Sequence, residues 1–221
     1  MLPTVEIETN SNPTYAMIWL HGLGADGNDF VTIVDELKFA ARHSVRFIFP
    51  HAPERPISIN NGFSMRAWYD IYHSDFTHSQ DEVGIQDSKK AIEALIKREI
   101  ERGISSQHIL LAGFSQGGAM ALHVGVQQNG SFGGVIALSC YLPFSKVISS
   151  KTDTHKSLPI FMAHGIYDTV IPLSYATCSK EKLLAAHYSV EWHEYPMGHT
   201  VSAPEITDID HWMQQNVIRY E

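Results

Sequence analysis

Cysteine is scarce, charge of one sign is never concentrated, and no apolar run is long enough to cross a bilayer. The two cysteines, Cys140 and Cys178, lie 38 residues apart (178 − 140) and in no CxxC arrangement. That argues against a disulfide framework or a cysteine zinc site and fits a reducing compartment. Cys140 ends the run "GGVIALSC" and reads as a small buried core residue rather than a nucleophile. The net charge of -8 is spread over separate acids, which argues for solubility and against a nucleic-acid partner. The longest apolar runs, "YAMIWL" and "GGVIAL", are strand-sized, far below the roughly 20 residues of a membrane helix. The opening "MLPTVEIETN" carries acids where a secretory leader carries Lys or Arg before an apolar stretch. A cytoplasmic protein without an integral membrane segment is the expectation. Histidine is abundant, but no HExxH or HxH cluster occurs, and His21, His51, His108, His123 and His164 fall on different elements. They read as strand-end or core histidines, and no metal site is expected.

What is present is enough apolar material, 44% of 221 residues, for one full core and a single domain over 1–221. Short apolar runs alternate with amphipathic segments throughout, the pattern of an α/β domain on a mostly parallel sheet with helices on both faces. Strands are expected near 4–9, 14–20, 45–50, 108–114, 133–139, 158–164 and 189–195. Several, such as "VRFIF" and "HILLAGF", are apolar on successive residues, as central covered strands require. The clearest helix is "IQDSKKAIEALIKREIERG", with Ile92, Leu95, Ile96 and Ile100 as one stripe and Gly103 as a stop. Others are expected near 28–42, 116–127, 174–187 and 204–218, the last opening at Pro204 with Ile206, Ile209 and Met213 on one face. Residues 50–84, with three prolines, several aromatics and no sustained period, read as a long functional loop.

One stretch carries chemistry. "GFSQG", residues 113–117, fits G-x-S-x-G, a cheap pattern alone. Its setting is more specific, because "HILLAGF" reads as a strand running into Ser115 and "QGGAMALHVGV" as a helix leaving it. A serine at the apex of such a turn is exposed and strained, the glycines leave it room, and the Gln116 N–H at the helix start points toward an oxyanion. A serine hydroxyl needs a base and an orienting acid, in chain order Ser, acid, His. Asp168 follows the strand "LPIFMAH" and His199 follows "VEWHEYP", both in the required order. His193 sits inside a strand, Asp208 and Asp210 come after the histidine, and Asp153 lies before its strand, at the other end of the sheet. The Gly-rich turn in "IWLHGLGADGNDF" supplies the second oxyanion donor, the Leu23 N–H. It lacks the GK[ST] ending of a phosphate loop and the spacing of a dinucleotide fingerprint.

With "WLHGLGADGNDF", "PHAP", "MRAWYDI", "GFSQGGAMAL", "HGIYDTVIP" and "YPMGHTVSAPEITDIDHWM" in this order, the chain resembles the carboxylesterase and acyl-protein thioesterase family, the lysophospholipase-like branch of the α/β-hydrolases. The resemblance runs from about residue 14 to 217. It implies an α/β-hydrolase fold without a large cap domain, no cofactor, Ser115 as nucleophile, His199 as base, Asp168 as its partner, and Leu23 and Gln116 as the oxyanion hole. It also implies that Leu142 borders the substrate site, that Trp68 either borders it or is plain core packing, the two readings weighing equally, and that the surface near the active-site mouth is a candidate homodimer interface. The expected activity is cleavage of short to medium carboxylic esters through an acyl-enzyme. Acyl thioesters, including S-acylated proteins, and lysophospholipids are the alternatives, and a catalytically silent binding protein of the same fold is the rival from another class.

Overall fold

The structure, a computed structural model, describes residues 1–75, 79–128, 132–144 and 158–217. Its elements in chain order are β1 (Thr4–Glu8), β2 (Tyr15–Leu20), α1 (Ile33–Glu36), α2 (Lys38–Arg42), β3 (Val45–Pro50), β4 (Glu54–Ile57), β5 (Phe63–Arg66), α3 (Glu82–Glu101), β6 (Ile109–Phe114), α4 (Gln116–Gly125), β7 (Gly134–Leu138), β8 (Pro159–Gly165), α5 (Leu173–Ala185), β9 (Ser189–Tyr195) and α6 (Ala203–Asn216). The seven expected strands form one sheet in the order β1-β3-β2-β6-β7-β8-β9. Only the edge strand β1 is antiparallel to its neighbour.

Period-two alternation divides the core. On β2, Ala16, Ile18 and Leu20 face a cluster that also takes Ile92 and Leu95 of α3, Met120 of α4 and Leu183 of α5. Tyr15, Met17 and Trp19 face the other side, with Phe39 of α2 and Ile209, Trp212 and Met213 of α6. Because side chains on a strand point alternately to opposite faces, a run buried throughout must be covered on both. No separate cap domain covers the sheet among the described residues.

Three expectations need correction. Ile100 is 47% exposed. Residues 85, 92 and 99 are each about two turns apart, so Glu99 takes the place on the buried line and Ile100, one residue on, turns about 100° away from Glu99. Glu99 is fully buried and is compensated by Arg46 at 2.8 Å, Arg98 at 2.9 Å and Arg102 at 3.1 Å. The helix expected over 28–42 is two short ones, broken where Leu37 is extended. The side chain of Asp210 accepts the Phe39 N–H at 2.6 Å, so a cap from α6 restarts the helix at a point local sequence does not mark. Inside 50–84, β4 and β5 pair as an antiparallel hairpin. Its turn contains Asn61 at φ 55° and Gly62 at φ 77°, and "NNG" was the available signal.

The first turn of α4 meets the sheet without side chains between them. A Cβ on Gly117 would sit 2.1 Å from the Leu20 carbonyl oxygen, and one on Gly113 would sit 2.4 Å from the Gly117 carbonyl carbon. Both obstacles are backbone and cannot swing aside. At the start of α6, Ser202 and Glu205 form a reciprocal cap, in which the Ser202 N–H donates to Glu205 Oε2 at 3.1 Å. Burial pushes the Glu205 carboxyl up to about 7 from its ordinary 4.5, against the opposing pull of the Ser202 hydrogen bond.

Two outcomes are expected. Gly117→Ala should lower stability by about 1–3 kcal/mol or more, read as a fall in urea midpoint at unchanged slope; an unaltered midpoint would contradict the close approach. Glu205 favours its neutral form in the fold, so its contribution is complete below about pH 4.5 and lost as pH rises to about 7. Glu205→Gln retains the cap without the charge. It should be more stable than the parent at pH 8, on the order of 2 kcal/mol, with the gain shrinking toward pH 5.

Candidate active site

Ser115 joins the end of β6 to the start of α4 at φ 55° and ψ −121°, a conformation that costs a non-glycine residue of order 1–3 kcal/mol. The turn is held from both sides. The Ser115 N–H donates to Leu138 O at 2.9 Å, and Gly113 and Gly117 allow the helix to start against the sheet.

The turn after β8 carries Asp168 and the loop after β9 carries His199. Backbone bonds tie these two loops together, Ile166 N–H to Tyr195 O at 2.9 Å and Tyr167 N–H to Met197 O at 3.0 Å. A Cβ on Gly165 would lie 2.3 Å from Gly198 O, so only glycine permits the approach. His199 Nδ1 is 2.7 Å from Asp168 Oδ2, and His199 Nε2 is 2.9 Å from Ser115 Oγ. A carboxylate only accepts, so Nδ1 carries the proton and Nε2 is free to receive one from the serine hydroxyl. Phe114 packs against the imidazole, with ring centroids 4.7 Å apart.

Asp168 is fixed as an acceptor. Its Oδ1 takes the N–H groups of Val170 at 2.8 Å and Ile171 at 2.9 Å, and buried His164 lies 3.4 Å from Oδ2 while its Nε2–H donates to Ile171 O at 2.8 Å. Burial lowers the His164 pKa, so this ring is a neutral donor. The competing acids and base are engaged elsewhere. His193 bonds Glu191 at 2.9 Å, Asp208 accepts the Tyr195 hydroxyl at 2.7 Å, and Asp210 caps α2. Asp153 lies outside the described residues.

A cavity of about 270 Å³ opens over Ser115, with Gly22, Leu23, Gln116 and His199 around the hydroxyl and Tyr69, Ile71, Tyr141 and Val170 as walls. The glycine-rich turn reaches the serine directly, since a Cβ on Gly22 would be 3.5 Å from Ser115 Cβ. Among the described residues, neither the Leu23 nor the Gln116 N–H has a hydrogen-bond acceptor, and both residues line the cavity.

Trp68 and Leu142 are not in these walls. The Trp68 side chain is fully buried and donates its indole N–H to His21 O at 2.9 Å, and the Leu142 N–H donates to Ser179 Oγ at 2.9 Å. Their neighbours Tyr69 and Tyr141 line the cavity instead, with hydroxyls 3.0 Å apart. The cavity-lining residues are thus immediate neighbours of the expected ones within "MRAWYDI" and "SCYLP". Sequence reasoning also missed a role for the Gln116 side chain. Its Oε1 accepts the Trp68 N–H and its Nε2 donates to Tyr69 O, each at 2.8 Å.

Two other chemistries find no support. Burial pushes the Cys140 thiol far above its ordinary range, opposite to what a thiolate nucleophile needs. Among the described residues, no group of three or more His, Cys, Asp or Glu side chains could hold a metal ion, and no helix is long and apolar enough to cross a membrane.

The chain is similar in sequence and fold to known proteins. Residues 3–217 match the family model described as phospholipase/carboxylesterase. An acyl-protein thioesterase 1 of Yarrowia lipolytica is 36% identical over 97% of both chains. An acyl-protein thioesterase 1 of Gibberella zeae is 35% identical, covering 94% of this chain and 92% of its own length. The crystal structure of Arabidopsis thaliana SOBER1 superposes with TM-score 0.85 at 29% identity, covering 92% of this chain and 99% of that one. That of Zea mays acyl-protein thioesterase 2, at 23% identity and TM-score 0.87 over 98% and 100%, shares the fold. The chain therefore belongs to the phospholipase/carboxylesterase family and is a hydrolase-type enzyme with the α/β-hydrolase fold.

Proposed function

We propose that this protein is a serine hydrolase acting on acyl thioesters, with S-acylated protein as the substrate class, through Ser115, His199 and Asp168. The observation that carries the chemistry is the unbroken hydrogen-bond chain from Ser115 Oγ through His199 to Asp168, at 2.9 and 2.7 Å. Ser115 Oγ attacks the acyl carbonyl while His199 Nε2 takes its proton. The Leu23 and Gln116 N–H groups stabilise the oxyanion, a contribution worth about 3–4 kcal/mol per donor. Collapse breaks the bond to sulfur, and His199 returns the proton to the departing thiol. Water, activated by the same imidazole, then hydrolyses the acyl-enzyme. Asp168 remains ionised throughout and stabilises the imidazolium.

The preference for thioesters over the carboxylic esters expected from sequence is supported by the relatives. Both sequence relatives described above are named acyl-protein thioesterases and align with this chain over more than 90% of their length. The second reading, short to medium carboxylic esters, is favoured by the modest cavity of about 270 Å³. The free thiols of Cys140 and Cys178 fit a reducing, cytoplasmic setting for either.

Ser115→Ala should abolish labelling by a fluorophosphonate probe and lower kcat about 10⁴- to 10⁶-fold with the fold intact; retained labelling would remove Ser115 from the mechanism. For the substrate, kcat/KM should be compared among a palmitoylated peptide thioester, p-nitrophenyl esters of increasing chain length and a lysophospholipid. The thioester reading expects the peptide to lead. A clear lead for the butyl or octyl ester would establish the carboxylesterase reading instead.

A further inference from the structure

The turn that supplies the Leu23 N–H is built around a histidine that the reaction itself does not use. His21 follows β2 and is 2% exposed. Its two ring nitrogens are both engaged, and their partners define the tautomer. Nε2 lies 3.0 Å from the Ala52 N–H, which can only donate, so Nε2 is the bare acceptor and Nδ1 carries the hydrogen. Nδ1 is 2.7 Å from Gly22 O, a carbonyl that can only accept, so the assignment is consistent at both ends. Burial is the leading cause of a lowered pKa for this ring, in keeping with a neutral imidazole.

Gly22 O and the Leu23 N–H belong to one peptide unit. The bond is trans, so its carbonyl and N–H point in opposite directions, and whatever holds the carbonyl also aims the N–H. The ring of His21 holds that carbonyl at 2.7 Å, and the longer 3.3 Å bond from the Ala25 N–H assists. Ring and backbone are in turn held from the opposite side of the site. Trp68 Nε1–H donates to His21 O, the Gln116 side chain grips the backbone of Trp68 and Tyr69, and Ser88 Oγ donates to Trp68 O. Gln116 is also the residue whose own N–H faces the cavity as the other candidate donor.

We propose that His21 is a positioning residue that locks the Gly22–Leu23 peptide with its N–H toward the Ser115 oxyanion, and that the buried network through Trp68 and Gln116 sets both donors against each other. The proposal rests on the reading of Leu23 as an oxyanion donor. The lock acts on the transition state, since a ground-state carbonyl gains little from a donor placed for the oxyanion. Loss of the lock should lower kcat and leave KM nearly unchanged.

Two substitutions separate this role from a general packing role. Asparagine places an amide N–H where Nδ1 stands and can keep the bond to Gly22 O. Glutamine places its amide where Nε2 stands and can satisfy the Ala52 N–H but cannot hold Gly22 O. With p-nitrophenyl butyrate, His21→Gln should lose about 10²- to 10³-fold in kcat at near-constant KM, the loss seen for one oxyanion donor. His21→Asn should retain most of the activity. Affinity for a trifluoromethyl ketone, which forms the tetrahedral adduct, should fall for His21→Gln in step with kcat/KM. Thermal melting of both variants monitors the fold. Wild-type kcat in His21→Gln, or equal losses in the two variants, would overturn the proposal. Ser115→Ala run in parallel distinguishes the two failures. If that variant is inactive while His21→Gln is unimpaired, the positioning role alone is lost; if it still turns over ester, the reading of the site falls with it.

Discussion

The structure depends on one close approach, that of the first turn of α4 to the ends of β2 and β6. The Gly117 Cα lies so near Leu20 O that no side chain fits between them. This contact drives the chain through Ser115 at positive φ and leaves the hydroxyl at the sheet's carboxyl edge. Strain of this kind persists only where surrounding contacts over-determine it. Here the Leu138 carbonyl, the two glycines and the buried Gln116 side chain do so.

From that fixed point the site is assembled by backbone rather than by long side chains. β6, β8 and β9 run parallel, so the loops at their carboxyl ends share one edge. Gly165 lets the loops after β8 and β9 touch, and two backbone bonds lock them. Asp168 is already saturated by two N–H groups on one oxygen, and its other oxygen holds His199. Both carboxylate oxygens are thus engaged by donors, which fixes the orientation of the Asp168 side chain toward His199. The same economy extends to the glycine-rich turn, which His21 and Trp68 hold by hydrogen bonds to its backbone.

Much of this was legible in the chain. Alternation of apolar runs gave the strands, because burial on both faces leaves a continuous apolar signature. That Ser115, Asp168 and His199 come together could be anticipated because each closes a strand on the same edge and the order is constrained. Legibility failed where the outcome depends on residues distant in sequence. The break at Leu37 reflects a cap from Asp210, 171 residues away, and the burial of Glu99 depends on Arg46 of a neighbouring strand. The exchange of Trp68 for Tyr69, and of Leu142 for Tyr141, in the cavity wall turns on which side of the chain faces inward. In an aperiodic segment no repeat records that.

The sequence by itself determined the order of the seven sheet strands and the longer helices, the turn chemistry around Ser115, and the chain order of serine, acid and histidine. These rest on local periodicity and on residue types with few conformational alternatives, glycine above all. Only the tertiary structure decided distances: the 2.7 and 2.9 Å links at His199, the shape of the cavity, and the tautomer of His21. Hydrogen bonds of this length come from how elements pack against each other, and packing is settled by the sum of many distant contacts that no local window contains.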